Sequence, residues 1–149
     1  MAAMVGSLIF LFPSAAKLQQ KVSEEYPTAA LEFMQRQHID GRIFNNYRWG
    51  GYMEWNAPQL KIFIDGRADI FVYNGTFDDH LKAVLIRSPF EVLDKYKIDY
   101  VLLEPAKPLT YLLKHSPAWH PIYTDKAAVL FERTPATAAA ATPLKAQSN

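Results

Sequence analysis

The 149-residue sequence contains no cysteine. This absence excludes disulfide bonds, zinc sites built on thiolates and cysteine nucleophiles. It is compatible with any compartment, including an oxidising one in which unpaired thiols are a liability. The histidines at positions 38, 80, 115 and 120 are too far apart for the short spacings of a histidine metal site. We therefore expect no bound metal.

The sequence also lacks a strong net charge and the common catalytic motifs. Its 16 Lys and Arg residues against 15 Asp and Glu residues give a formal net charge of +1, and neither sign is clustered. Without a basic surface field, a nucleic-acid partner is not expected. The P-loop, GxGxxG, GxSxG and HExxH patterns are all missing. We therefore expect no nucleotide and no other cofactor.

No hydrophobic run is long enough to span a bilayer alone, which takes about 20 apolar residues. The first 13 residues, MAAMVGSLIFLFP, are nevertheless apolar and uncharged. They lack the basic beginning of a signal peptide. We predict that residues 1–16 are the remnant of a transmembrane helix whose beginning lies outside this sequence, and that they attach the chain to a membrane. A core helix and a signal peptide are the alternatives.

The sequence does contain one region of globular composition, residues 17–133, which is long enough to build a single core. The segment that follows, residues 134–149, is rich in Ala, Thr and Pro and has one large apolar side chain, Leu144. Such a segment buries too little apolar surface to offset the entropy lost on ordering. We therefore predict a disordered tail at residues 134–149.

Helical and strand patterns alternate through residues 17–133. Helices are predicted at 27–37, 49–55, 76–84, 89–96 and 109–114, and strands at 42–47, 61–65, 100–103, 121–124 and 128–133. This order indicates an α/β fold with a small, mixed and mostly parallel sheet, helices on both faces and a C-terminal antiparallel hairpin. Ligands of open α/β sheets bind beyond the carboxyl ends of the strands.

Two details of the predicted helices concern their polar residues. The helix at 76–84 is expected to begin with Thr76 as its N-cap and Asp79 at the third helical position. Ser88 and Glu91 form a similar capping box around Pro89, which suits a first helical position. His80 is expected to face solvent.

The segment from Tyr47 to Tyr52, YRWGGY, follows the first predicted strand. One interpretation is that this segment binds a sugar, because sugar rings stack on Trp and Tyr faces and paired glycines let a ligand approach the backbone. The other interpretation is structural: the glycines permit a tight turn, and Trp49, Tyr52 and Trp55 form one buried helical stripe. Spacing alone favours the structural interpretation.

The segment from Asp65 to Asp69, DGRAD, follows the second predicted strand. Its two carboxylates suggest cation binding or acid–base chemistry, and Arg67 suggests an anion contact. An ion pair of Arg67 with Asp65 or Asp69 that holds the loop together is the alternative, and we favour it. A small hydrolase built on Asp65 and Asp69 is a further hypothesis.

Both segments carry a family resemblance. The chain resembles the soluble C-terminal domain of bacterial multi-span membrane proteins. The strings that carry this resemblance are WGGY at 49–52 and DGRAD at 65–69, with PTAA at 27–30, GRIFN at 41–45, DYVLL at 99–103 and AVLF at 128–131. The resemblance covers about residues 5–133. These membrane proteins look like C-type glycosyltransferases, which use lipid-linked sugars, and the resemblance implies a membrane-associated chain with its soluble part on the periplasmic side.

A more distant similarity is to the soluble domain of oligosaccharyltransferases, in which a Trp-Trp-Asp-Tyr-Gly motif after a strand contacts the acceptor peptide. The acidic residue of that motif is missing from the segment Tyr47–Tyr52. In those enzymes the catalytic carboxylates lie in membrane loops, so the resemblance implies no catalytic activity in this chain alone.

We therefore expect a non-catalytic, extracytoplasmic accessory domain that positions an acceptor or glycan. A structural or protein-interaction module without a ligand is the alternative. The residues expected to contact the ligand follow the first two strands: Asn45, Tyr47, Arg48, Trp49, Tyr52, Asp65, Arg67 and Asp69.

Overall fold

Five short strands form one mixed sheet in the computed structural model, which describes residues 14–135. The sheet order is β2-β1-β3-β5-β4, with β1 parallel to both β2 and β3, and β5 antiparallel to both β3 and β4. This arrangement confirms the predicted α/β fold and its C-terminal hairpin. The strands are β1 Arg42–Asn45, β2 Lys61–Ile62, β3 Tyr100–Leu103, β4 Trp119–Thr124 and β5 Val129–Arg133.

Seven α-helices and one 3-10 turn connect and cover these strands within residues 14–135. Helix α4 was not expected from the sequence, and none of its side chains is buried. The helices are α1 Ala15–Glu25, α2 Thr28–Arg36, α3 Gly50–Asn56, α4 Ala68–Tyr73, α5 Thr76–Val84, α6 Pro89–Lys95 and α7 Pro108–Lys114, and the 3-10 turn is Tyr47–Trp49.

Each face of the sheet has its own hydrophobic core. Successive side chains of a strand point to opposite faces, so neighbouring residues of β1 enter different cores. Ile43 packs with residues of α2 and α3, whereas Phe44 packs with residues of α5, α6 and α7. The helix after β1 and the helix after β3 therefore cover opposite faces. The predicted placement of helices on both faces is confirmed.

Strand β2 is shorter than the predicted 61–65. Beyond Ile62, the amide groups of Phe63 and Ile64 donate to the side-chain Oδ1 of Asn45, at 3.0 and 3.2 Å. The Asn45 Nδ2 donates in return to the carbonyl oxygen of Ile64, at 2.8 Å. The Phe63 amide also keeps a backbone bond of 2.8 Å to the carbonyl oxygen of Ile43, so the buried Asn45 side chain takes the place of a backbone partner only at Ile64, where the first two strands separate.

The beginning of α5 differs from the sequence expectation. Its N-cap is Gly75, with φ of +78°, rather than Thr76. The Asp79 carboxylate does not cap the helix but binds Lys82, Lys95 and the Tyr96 hydroxyl. At the start of α6, Pro89 occupies the first turn as predicted, but the Ser88 side chain makes no capping hydrogen bond.

His80 is buried, so the expectation that it faces solvent was wrong. Its side chain points toward the sheet because the residues three and four positions away on α5, Ala83 and Val84, also belong to the core face. The imidazole stacks on the ring of Phe44, with centroids 5.0 Å apart and planes 14° apart. A spacing of three and four residues from apolar neighbours is the signal that identifies it as a core-facing histidine.

The two predicted terminal segments fall largely outside the described residues. The membrane remnant lies there up to residue 13, and the tail lies there from residue 136. Between residues 14 and 135, no helix combines the length and the apolarity that crossing a bilayer requires. Helix α1, which follows the apolar segment, has no buried side chain.

Candidate functional site

The site lies at the carboxyl edge of the parallel strands, where β1 turns into α3. Asn46 begins this turn, and its Oδ1 accepts a hydrogen bond of 2.8 Å from the backbone amide of Arg48. An asparagine in this position satisfies a donor that the short 3-10 turn leaves free. The chain then passes directly into α3 through the two glycines.

The two glycines serve different purposes. A Cβ on Gly50 would lie 2.2 Å from the carbonyl oxygen of Ile64 and 2.4 Å from the Cα of Asp65, so only glycine fits there. A Cβ on Gly51 would meet no atom within 4 Å. Gly50 therefore allows the close approach of α3 to the second loop, whereas Gly51 is exposed backbone at the surface. The structural interpretation of the glycine pair holds for the first glycine only.

A wide surface groove of about 940 Å³, here called the aromatic groove, runs beside this turn. It is formed by tyrosine, tryptophan, arginine and glycine residues, which come from the end of α1, the 3-10 turn and α3. Such a lining combines flat apolar faces with hydrogen-bonding groups. Its main lining residues are Tyr26, Tyr47, Arg48, Gly51, Tyr52 and Trp55.

The floor of the aromatic groove is held by contacts among its aromatic residues. The Tyr26 and Tyr52 rings lie 4.6 Å apart with planes inclined by 32°. The Tyr52 hydroxyl is 2.9 Å from the hydroxyl of Thr28 on α2. Tyr47 packs edge-on against Phe77, with centroids 5.5 Å apart, and its hydroxyl donates to the carbonyl of Gly66 at 3.3 Å. These contacts fix the rings before any ligand arrives.

Trp49 and Trp55 have opposite environments. Trp49 is 3% exposed, and its indole Nε1 donates to the carbonyl of Glu25 at 3.0 Å. Trp55 is 87% exposed. The predicted buried stripe was therefore correct for Trp49 and wrong for Trp55. With 3.6 residues per helical turn, a residue six positions later lies about 240° around the helix, which turns Trp55 away from the core.

Asp65 and Arg67 form an ion pair beside the groove. The Arg67 Nε donates to Asp65 Oδ1 and Oδ2 at 2.9 and 3.1 Å, its Nη2 also contacts Oδ2, and its backbone amide donates to Oδ1 at 2.9 Å. Arg67 also reaches Glu54 of α3 at 3.5 Å. The favoured structural interpretation of this segment is confirmed, because the guanidinium holds the buried carboxylate in place.

This ion pair has consequences for acid–base chemistry. Hydrogen bonding to the Arg67 guanidinium lowers the pKa of Asp65 below its ordinary value. A carboxylate held ionised in this way is a poor proton donor near neutral pH. Asp69 lies apart from it, exposed in the first turn of α4, where the helix dipole favours a negative charge. Within residues 14–135, no three His, Cys, Asp or Glu side chains group as metal ligands do.

The structure divides the predicted ligand residues into three groups. Tyr47, Arg48 and Tyr52 line the aromatic groove. Asn45, Trp49 and Asp65 are buried and hold the scaffold. Arg67 and Asp69 are exposed and do not line the groove.

Two aromatic residues of the groove, Tyr26 and Trp55, were missing from the predicted set. Tyr26 lies between two helices and has no sequence signal of its own. Trp55 follows Gly51 by four positions, which places both on one side of α3. That spacing was available from the sequence.

No protein-family model, curated protein or solved structure matches this chain.

Proposed function

We propose that this chain is a non-catalytic, extracytoplasmic accessory domain of a glycosyltransferase-like membrane protein, and that it holds a glycan or a glycan acceptor in the aromatic groove. The exposed indole of Trp55 carries the proposal. A residue of this size normally buries most of its surface, and here 87% of it remains accessible, on helix α3. Sugar rings present apolar C–H faces that stack on such an indole.

The other groove residues supply what a sugar needs besides stacking. Arg48 is exposed, lines the same groove as Tyr47 and Tyr52, and offers several N–H donors. The backbone of Gly51 is accessible because no side chain covers it. A positive side chain beside stacking rings also suits the phosphate of a lipid-linked sugar. The domain supplies binding and orientation, and the chemistry belongs to the membrane part of the parent protein.

The groove is tested by titrating the full chain with chitotriose, cellotriose and maltotriose and following tryptophan fluorescence. We expect at least one trisaccharide to bind, and Trp55→Ala to weaken that binding by about tenfold, since an aromatic contact contributes about 1 kcal/mol beyond area burial. Tyr73→Ala is the matched control, because Tyr73 is also an exposed helical aromatic (95%) but lies outside the groove. Equal losses in both variants, or no binding of any sugar by the wild-type chain, would contradict a groove function.

A protein-interaction module is the second candidate, and one observation favours it. Helix α4 exposes Ile70, Val72 and Tyr73 together, with 52%, 57% and 95% of each residue accessible. Apolar side chains that cluster on one surface often mark protein contacts. Under this alternative Tyr73→Ala, rather than Trp55→Ala, impairs the function of the parent protein in cells.

The membrane part of the proposal concerns residues 1–16. Burying the apolar side chains of residues 9–12 in a bilayer is favourable by several kcal/mol, at about 25 cal/mol per Å². We expect the full chain to float with liposomes and a chain beginning at Lys17 to remain in solution with an unchanged melting temperature. Helix α1 buries no side chain, so the shortened chain keeps both cores. Unfolding of the shortened chain would instead identify residues 1–16 as part of the core.

A further inference from the structure

A second pocket, here called the His80 pocket, opens on the opposite side of the sheet edge from the aromatic groove. It has a volume of about 310 Å³, and its lining includes Asn46, His80, Val84, Leu85, Leu103 and Leu109. Lys107 and Pro108 also line it, so five of its eight lining residues are apolar. The pocket lies between helices α5 and α7, so nothing in the proposed glycan function uses it.

The topology places this pocket where open α/β sheets bind ligands. Strands β1 and β3 are parallel neighbours, yet the helix after β1 covers one face and the helix after β3 covers the other. Their carboxyl ends therefore separate into a crevice at the switch point of the sheet. Asn46 follows β1, Leu103 ends β3, and both line the pocket.

His80 lines this crevice and carries a buried acceptor. Its Nε2 lies 3.2 Å from the carbonyl oxygen of Asn45, and since a carbonyl only accepts, Nε2 carries the proton. In the neutral ring Nδ1 is then an unprotonated acceptor. It is buried and has no hydrogen-bond partner among the described residues, in a residue that is 5% exposed. Burial also lowers the pKa of His80, which keeps the ring neutral.

A second unpaired acceptor lies next to the pocket. The Asn46 Nδ2 donates to Glu104 Oε1 at 2.5 Å, while Glu104 Oε2 is buried and has no partner among the described residues. Lys107, which also lines the pocket, holds its Nζ 3.7 Å from Glu104 Oε1. Buried polar atoms of native proteins are nearly always paired, so two unpaired acceptors at one crevice indicate that a donor is supplied from outside the chain.

We propose that the His80 pocket binds a small, uncharged molecule with an apolar body and a hydroxyl group. The hydroxyl donates to Nδ1 of His80, and the apolar body contacts Val84, Leu103 and Leu109. The mostly apolar lining disfavours a charged ligand, because burying an unpaired charge is costly, and the one charged lining residue, Lys107, is already paired with Glu104. The volume lies at the lower end of the range for ligand pockets, which suits a single ring or a short branched alcohol.

The test compares phenol with toluene, which have nearly the same shape but differ in the hydroxyl donor. Binding to the full chain is followed by NMR at the backbone amides of Val84, Leu103 and Leu109 and at the imidazole nitrogens. We expect phenol to bind about tenfold more tightly than toluene, since a buried unpaired acceptor gains its hydrogen bond only from phenol. The Nδ1 resonance should move with phenol alone.

Two variants test whether the acceptor on His80 causes the preference for phenol. His80→Phe keeps the stack on Phe44 but removes the acceptor, so phenol and toluene should bind it equally. His115→Phe, at an exposed histidine after α7, is the matched control and should keep the preference for phenol.

Three outcomes would overturn the proposal. One is equal binding of phenol and toluene to the wild-type chain, and another is a phenol preference that survives in His80→Phe. The third is the absence of any shift at the lining amides up to the solubility limit of both probes, which would leave a pocket that holds water only. The wild-type comparison does not depend on whether His80→Phe folds. None of these outcomes bears on the aromatic groove, whose amides are recorded in the same spectra.

Discussion

Asp65 and Asp79 are both buried carboxylates with basic partners, but their partners come from different distances along the chain. Asp65, 3% exposed, is held by the side chain and the backbone amide of Arg67, two residues later. Asp79, 6% exposed, receives bonds from Lys82 on its own helix at 2.8 Å, from Lys95 on α6 at 2.5 Å and from the Tyr96 hydroxyl at 2.9 Å. The first pair fixes a loop, and the second joins two helices.

The difference shows which carboxylate stabilises the fold. An ion pair between residues two apart forms without bringing distant parts of the chain together, so it adds little to the tertiary structure. The bonds of Asp79 exist only when α5 is docked against α6, and α5 also carries His80 into the core. Asp79 therefore stabilises the layer that forms the His80 pocket, whereas Asp65 shapes the loop beside the aromatic groove.

The largest effect is expected for Asp79→Asn. An asparagine loses the charge that both lysines neutralise and one acceptor oxygen, while the volume is unchanged. We expect the free energy of unfolding to fall by about 2 kcal/mol, the usual contribution of hydrogen bonds to a charged group. Urea denaturation measures this, with Asp78→Asn as the control at an exposed position on the same helix. Equal stability of the two variants would show that water stabilises Lys82 and Lys95 as well as the Asp79 carboxylate does.

The loss of stability at acid pH should also distinguish Asp79→Asn from Asp78→Asn. Hydrogen bonds from Lys82 and then Lys95 lower the pKa of Asp79 well below its ordinary value. An unfolded Asp titrates at about 3.9, so below that pH the unfolded chain binds more protons than the folded one. Stability is therefore full above about pH 4 and is lost as the pH falls toward the folded pKa. We expect thermal melts from acid to neutral pH to show a shallower decline in Asp79→Asn than in Asp78→Asn.

The fold was largely predictable because its signals are local. The buried strand at Tyr100–Leu103 and the amphipathic helix at Thr28–Arg36 appear in the sequence as an apolar run and a helical period. The end of β2 was not predictable, because at Ile64 the side chain of Asn45, 19 residues earlier, takes the place of a backbone partner. Boundaries that depend on a distant side chain leave no local pattern.

The candidate site was predictable only in part for the same reason. Arg67 and Asp65 lie within two residues, and their pairing was expected. Outside the site, the environment of Asp79 depends on Lys95 and Tyr96, 16 and 17 residues later, whose approach no spacing rule describes. Trp55 was predicted on the buried side of its helix because positions 49, 52 and 55 were taken to share one face. That holds only if a helical turn takes three residues, whereas it takes 3.6, and the difference adds up over six positions.

A smaller effect is expected for Arg67→Ala. The Asp65 carboxylate keeps the backbone amide of residue 67 as a donor, and the guanidinium it loses is mostly exposed, with 58% of the side chain accessible. We expect a melting temperature below that of the wild-type chain but above that of Asp79→Asn. Arg67→Lys should recover only part of the loss, because an ammonium cannot reproduce the two-oxygen contact of the guanidinium. A larger fall than in Asp79→Asn would reverse the comparison of the two carboxylates.

The smallest effect is expected for Glu54→Gln, which removes the second partner of Arg67. The two side chains are 53% and 58% exposed and approach to 3.5 Å, so water and salt screen their attraction. The bonds between Arg67 and Asp65 remain, and we expect no measurable change in melting temperature at 0.15 M salt. The change does remove a negative charge from α3, the helix that carries Trp55. If Glu54→Gln lowers the melting temperature as much as Arg67→Ala does, then Arg67 acts mainly by joining its loop to α3, and the Asp65 region is a tertiary contact of the same kind as the Asp79 region.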